Sequence, residues 1–73
     1  MVGGTQEDSL IGGIGNDILR GGLGADTVDG GADNDQVNGG DGADSLYGGL
    51  ADDTVAGNTG VDLSSGGDGN DII

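Results

Sequence analysis

A pair of glycines returns every nine residues along almost the whole chain. The pair begins at Gly3, Gly12, Gly21, Gly30, Gly39, Gly48 and Gly66, and Gly57-Asn58 takes its place once. Eight registers follow one another over residues 3–73 without an insertion, and a fixed short period of this kind predicts a stacked repeat architecture. We therefore expect residues 1–73 to form one segment. Because neither terminal repeat differs as a cap would, we expect it to be cut from a longer array.

Each repeat combines a turn with a short strand. Numbering from the first glycine, positions 1–6 are rich in Gly, Asn and Asp, which tolerate left-handed backbone. Positions 7–9 alternate between exposed and buried character, as a strand does, and glycine recurs too often for a helix. Position 8 supplies the inward candidates, which are Leu10, Leu19, Val28, Val37, Leu46, Val55, the polar exception Ser64, and Ile73.

A nine-residue unit with one strand and one turn predicts a coil in which two repeats make one winding. Residues 18 apart then stack at about the 4.8 Å strand spacing. The expected fold is therefore an all-β coil of about four windings and roughly 20 Å in length.

The charge balance indicates that this chain needs a cation in order to fold. Fourteen acidic residues face one base, Arg20, and Tyr47 is the only aromatic residue. High net charge, here −13, with few large apolar side chains is typical of disorder. Position 6 is aspartate in all eight repeats, namely Asp8, Asp17, Asp26, Asp35, Asp44, Asp53, Asp62 and Asp71. A regular row of carboxylates on glycine turns offers a row of places for a hard cation.

Composition also excludes several functions. The chain has no cysteine and no histidine, which excludes disulfides and thiolate zinc sites. It has no basic patch for nucleic acid, and no apolar run of membrane-spanning length. We expect neither a nucleic-acid partner nor a membrane span.

Three repeats, GGIGNDILR, GGLGADTVD and GGDGADSLY, carry a clear family resemblance. They resemble, at every defined position, the glycine- and aspartate-rich nonapeptide of RTX (repeats-in-toxin) proteins. The resemblance covers 71 of the 73 residues. It implies a right-handed parallel β-roll (a β-solenoid) whose turns bind Ca²⁺ between neighbouring windings.

The chemistry of the turns agrees with calcium. Ca²⁺ takes about 6–8 oxygen ligands in a forgiving geometry, whereas Mg²⁺ needs a smaller octahedron and transition metals prefer His or Cys. Besides the eight aspartates, the candidate ligands are glycine carbonyls. They belong to Gly12, Gly13, Gly15, Gly21, Gly22, Gly24, Gly30, Gly31, Gly39, Gly40, Gly42, Gly48 and Gly49.

Stacking sorts the aspartates onto two edges of the roll. The first edge carries Asp8, Asp26, Asp44 and Asp62, and the second carries Asp17, Asp35, Asp53 and Asp71. Each adjacent pair on an edge brackets one ion, so we expect about six interior sites.

Substitutions at position 4 rank these sites. Gln6, Asp33 and Ala51 replace glycine there, and a side chain forced into left-handed backbone costs about 1–2 kcal/mol, less for aspartate. Asp26–Asp44 lies between two unsubstituted repeats and is predicted to be the tightest site. Asp33 and Asp52 could also touch an ion, and the remaining acids are surface charge.

The expected function is a calcium-binding module that is disordered without calcium and folds on binding it, and not an enzyme. By resemblance, it would come from the C-terminal part of a type I secreted bacterial toxin, protease, lipase, epimerase or adhesin. That parent would be extracellular and carry a passenger domain. The open strand edges at both ends suggest end-to-end self-association. The alternative is a repetitive surface that binds ice or polysaccharide and uses calcium structurally.

Overall fold

The computed structural model describes residues 1–73, which contain eight strands and no helix. The strands are β1 (Val2–Gly4), β2 (Ser9–Ile11), β3 (Ile18–Leu23), β4 (Thr27–Asp29), β5 (Gln36–Asp41), β6 (Ser45–Tyr47), β7 (Thr54–Ala56) and β8 (Leu63–Ser65). With no helix present, none could cross a membrane. The predicted all-β fold is confirmed.

The strands form two four-stranded parallel sheets. One has the order β1-β3-β5-β7 and the other β2-β4-β6-β8, so successive strands alternate between the sheets. The register joins Ser9 to Thr27, Thr27 to Ser45 and Ser45 to Leu63, a constant step of 18 residues. This confirms a parallel roll with two repeats per winding. The Cα extents are 28 × 19 × 11 Å.

Most strands occupy positions 7–9 of their repeats, as predicted, but two are longer. Strands β3 and β5 are six residues long and extend through the glycine pair of the following repeat. In this extension Gly22 pairs with Gly40 and Leu23 pairs with Asp41. Strand β8 forms at Leu63–Ser65 although this repeat lacks the apolar residue at position 8.

The core is a thin layer between the two sheets. It consists of the six position-8 residues Leu10, Leu19, Val28, Val37, Leu46 and Val55, each at most 8% exposed. Ser64 is only half-buried. The expectation that Ile73 belongs to the core is wrong, because it is 70% exposed and the last repeat adds only a bridge from Ile72 to Thr54. Arg20 and Tyr47 point outward as predicted.

Left-handed backbone recurs in the turns, and three non-glycine residues adopt it. These are Asp33 (φ 70°), Ala51 (φ 73°) and Asn58 (φ 68°). Gln6 is not among them, so the predicted strain at Gln6 is wrong. Because a side chain disfavours this region, the first turn follows a different backbone path there.

Candidate metal sites

The position-6 aspartates lie inside the two edges of the roll. Asp26, Asp35, Asp44 and Asp53 are at most 2% exposed, and the other four, nearer the ends, are half-buried. A buried carboxylate normally has a cationic partner. The single basic side chain, Arg20, is exposed on β3 and cannot serve eight carboxylates.

One oxygen of these carboxylates joins neighbouring windings. The Oδ1 atom of Asp26 accepts a hydrogen bond from the backbone N–H of Asp8, at 2.8 Å. The same bond recurs between residues 18 apart at six places, with distances of 2.8–2.9 Å. The stacking therefore brings the aspartates of each edge into one ladder, as the sequence predicts.

The second oxygen has no partner. The Oδ2 atoms of Asp8, Asp17, Asp26, Asp35, Asp44 and Asp53 are buried without a hydrogen bond. Leaving a buried polar atom unpaired costs about 1–3 kcal/mol, and more when it is charged. These six atoms correspond one to one with the gaps between stacked turns. An unpaired, buried, anionic oxygen in every gap is suited to binding a cation.

Backbone carbonyls converge on the same unpaired oxygens. A methyl group built on Gly12 would lie 2.6 Å from the carbonyl oxygen of Gly30 and 2.7 Å from Oδ2 of Asp17. On Gly30 it would lie 2.7 Å from the Gly48 carbonyl oxygen and 2.8 Å from Oδ2 of Asp35. The Gly30 and Gly48 carbonyls accept no hydrogen bond. At both places a carboxylate oxygen and a carbonyl oxygen converge on one point, which suits a cation.

Carbonyls at position 4 face the turn that stacks above them. Those of Gly24 and Gly42 point at the position-4 glycines of the next winding and accept no hydrogen bond. The carbonyls of Gln6 and Ala51 lie in the equivalent places, which sequence reasoning missed because it considered only glycines. A carbonyl ligand does not depend on its side chain, so position within the repeat was the available signal.

Carbonyls at position 2 on the second edge are already engaged. Those of Gly13, Gly31 and Gly49 accept backbone N–H groups from Ala32, Leu50 and Asp68, at 2.9–3.1 Å. Each retains one lone pair. Of the carbonyls predicted as ligands, those at positions 1 and 4 are therefore the freer ones on this edge.

Electrostatics within the ladders favours neutralisation. Burial raises the pKa of Asp35 above its ordinary 3.8, and the charges of Asp53, Asp17 and Asp33 raise it further, although the hydrogen bond from Asp17 N–H opposes this. Burial likewise raises the pKa of Asp44, with Asp62 and Asp26 adding to the effect. A bound divalent cation would reverse these shifts, because it favours the charged form.

The acids outside position 6 are all exposed. No group of three or more His, Cys, Asp or Glu side chains converges to hold a metal. Exposed Asp33 and Asp52 accept hydrogen bonds from the backbone N–H groups of Gly15 and Asn70. The donor set in a gap is thus aspartate carboxylate plus backbone carbonyl, an all-oxygen set that fits Ca²⁺.

Comparison with known proteins gives one family. The sequence pattern described as RTX calcium-binding nonapeptide repeat (4 copies) matches residues 2–37, 29–64 and 38–73. Searches of curated proteins and of solved structures return no significant match. Since these matches together span residues 2–73, the chain belongs to the RTX calcium-binding nonapeptide repeat family and is a calcium-binding repeat module.

Proposed function

We propose that calcium binding in the gaps between stacked turns drives this chain from disorder to the β-roll. One observation supports this most directly: six buried carboxylate oxygens have no partner, one in each gap. The eight position-6 aspartates and the facing carbonyls at positions 1, 2 and 4 would hold about six ions in all.

The mechanism is thermodynamic linkage. An ion that binds only the folded state stabilises it by about 2.7 kcal/mol at one hundred times its dissociation constant. Because adjacent gaps share an aspartate such as Asp26 or Asp35, binding in one gap fixes a ligand of the next. Folding should therefore depend steeply on calcium concentration.

Charge favours the same coupling. The calcium-free chain has a net charge of −13, which opposes compaction. About six divalent ions would nearly neutralise it, so the charge that prevents folding is also what recruits the ions.

We infer a biological setting from the family resemblance. The segment would belong to a longer array near the C-terminus of a type I secreted bacterial toxin, protease, lipase, epimerase or adhesin. Low calcium inside the cell would keep it unfolded for export. Higher calcium outside would fold it beside its passenger domain. The open ends of the roll would then associate with further windings or with another copy.

The alternative functions gain no support from the surface. The outward row Ser9, Thr27, Ser45 and Leu63 lies in register on one sheet but ends in leucine. The row Ile18, Gln36, Thr54 and Ile72 on the other sheet repeats no chemical group. A structural calcium module remains the best description, with no catalytic role proposed.

Circular dichroism during a calcium titration, with EDTA and Mg²⁺ as controls, tests the proposal. We expect strand signal to appear steeply in calcium and not with equal Mg²⁺. Isothermal titration calorimetry on the same samples separates binding from folding. Absence of both heat and strand signal in millimolar calcium would refute the proposal, whereas heat without strand signal would refute only the folding step.

A further inference from the structure

The two edges of the roll differ at position 5. On the second edge this position holds Asn16, Asn34, Asp52 and Asn70. On the first edge it holds Glu7, Ala25, Ala43 and Val61. Only the second edge therefore has a side-chain oxygen at short reach from the backbone at this point of every turn.

Those side chains form a second ladder. The Oδ1 atom of Asn16 accepts the backbone N–H of Asn34 at 2.9 Å. Asn34 Oδ1 accepts from Asp52 N–H at 2.9 Å, and Asp52 Oδ1 from Asn70 N–H at 2.8 Å. Every gap of the second edge thus gains one hydrogen bond that involves no position-6 aspartate.

The second ladder runs opposite to the first. In the aspartate ladder the oxygen belongs to the later turn, as in Asp17 N–H to Asp35 Oδ1. In the position-5 ladder the oxygen belongs to the earlier turn, as in Asn34 N–H to Asn16 Oδ1. Each gap on this edge is therefore closed by side-chain hydrogen bonds from both of its turns, as where Asn16 of the earlier turn and Asp35 of the later turn each supply one oxygen.

The first edge has no such series. Its comparable contacts both involve the last turn, where the Thr59 hydroxyl donates to the Asp41 carboxylate and the Asn58 side-chain amide donates to Asn38 Oδ1. The second edge has one more, from Gly15 N–H to Asp33 Oδ2 at 2.9 Å. The difference between the edges is thus systematic at position 5 and local elsewhere.

We propose that Asn16, Asn34 and Asp52 are positioning residues for calcium. They hold the second-edge turns in register, so that the gaps bounded by Asp17, Asp35, Asp53 and Asp71 fill at lower calcium than those of the first edge. This inference rests on the proposed function. The role proposed for the ladder oxygens is to hold the N–H group of the next turn, and not to bind the ion. They act by ordering the turn before the ion arrives, which lowers the entropy cost of binding.

This order is the opposite of the one that position 4 predicts. Counting substitutions there places Asp26–Asp44, on the first edge, ahead of all other gaps. Asp33 and Ala51 both adopt left-handed backbone. The strain at Asp33 is offset by the hydrogen bond that its carboxylate accepts from Gly15 N–H, whereas Ala51 has no such contact. The two rankings can be decided by one experiment.

That experiment follows backbone amides by NMR during a calcium titration of the ¹⁵N-labelled full chain. The Asp35 amide reports the second edge and the Asp44 amide the first. Asn34→Ala removes one ladder bond, and alanine suits this turn position because Ala25 and Ala43 occupy it on the other edge. Ala25→Asn is the matched variant that adds a ladder bond to the first edge, because the new side-chain oxygen would face the N–H group of Ala43.

In the unmodified chain we expect the Asp35 amide to reach its folded position at about five-fold lower calcium, the factor for one net hydrogen bond. Asn34→Ala should abolish this lead, and Ala25→Asn should shift the Asp44 amide by a similar factor toward lower calcium. Edges that fill together, a first edge that fills before the second, or a lead unchanged in Asn34→Ala would each overturn the inference. No shift at either edge in calcium would instead refute the proposed function, and the inference with it.

Discussion

Replacing Asp35 by asparagine should have opposite effects with and without calcium. Asp35 is 2% exposed, its Oδ1 accepts the Asp17 N–H at 2.8 Å, and its Oδ2 has no partner. Asparagine keeps the first bond and places an N–H donor beside the unpaired carbonyl of Gly48. Removing one buried unpaired charge should stabilise the calcium-free roll by about 1–3 kcal/mol.

The calcium-free gain is measured in EDTA, with an excluded osmolyte such as TMAO used to bring the folding transition into range. Circular dichroism should show that Asp35→Asn folds at lower osmolyte concentration than the unmodified chain. In calcium the variant loses an anionic ligand shared by two gaps, so its folding midpoint should rise about ten-fold or more, which corresponds to at least about 1.4 kcal/mol.

Asp68→Asn is the matched control, because Asp68 is exposed and the change in net charge is the same. It reports the part of each effect that comes from overall charge. The reasoning fails if Asp35→Asn needs more osmolyte in EDTA than the unmodified chain, or if its calcium midpoint equals that of Asp68→Asn.

Three further outcomes are expected. Burial raises the pKa of Asp35 and Asp44 above 3.8, so the calcium-free roll binds more protons than the unfolded chain. The stability that these protons add to the roll is fully present below about pH 3.8 and is lost as the pH rises through the raised pKa values of the folded state. Circular dichroism in EDTA should therefore gain strand signal on acidification from pH 7 to 4, and a loss would contradict this. Gly21→Ala places a methyl group 2.5 Å from Asp26 Oδ2 and 2.6 Å from the Gly39 carbonyl oxygen. This crowding should lower the stability of the roll by about 1–3 kcal/mol or more. Gly13→Ala is the control, because its methyl group enters open space and costs only about 1–2 kcal/mol in backbone strain at φ 89°. If both variants raised the calcium midpoint of folding equally, the ion gap beside Gly21 would not be crowded. Ser64→Val extends the inward column above Leu46 and should add about 1 kcal/mol; an unchanged thermal midpoint in calcium would show that the last winding is not packed.

The period of the sequence predicts most of this fold, because a nine-residue repeat with one inward residue allows few arrangements. It predicts the 18-residue register, the six buried core residues and the two aspartate rows. The wrong predictions concern the first and last repeats, each of which has a neighbouring winding on only one side. Ile73 has the right residue type for the core but no strand of its own, and Gln6 lies in a first turn whose backbone departs from the repeat.

The site was harder to predict than the fold, because carbonyl ligands leave no mark on the side-chain sequence. Counting glycines omitted the carbonyls of Gln6 and Ala51, which occupy the same places in their gaps. The position-5 ladder was missed for another reason: asparagine is expected in a turn whether or not its side chain bonds the next winding. Only the alternate repeats, taken together, show that one edge has Asn or Asp at position 5 of every turn, whereas the other has apolar residues in three turns of four.

The inequality of the two edges constrains how such an array can lengthen. Duplicating a single nonapeptide would leave the inward residues inward, but it would carry every later turn to the opposite edge. At the insertion a polar turn would then face an apolar one, as Asn34 would face Ala25 after duplication of residues 21–29, and the series of side-chain oxygens would be cut there. Duplicating 18 residues preserves both edges. The segment whose duplication lengthens this roll without disrupting it is therefore a pair of repeats, although the sequence period is half that length.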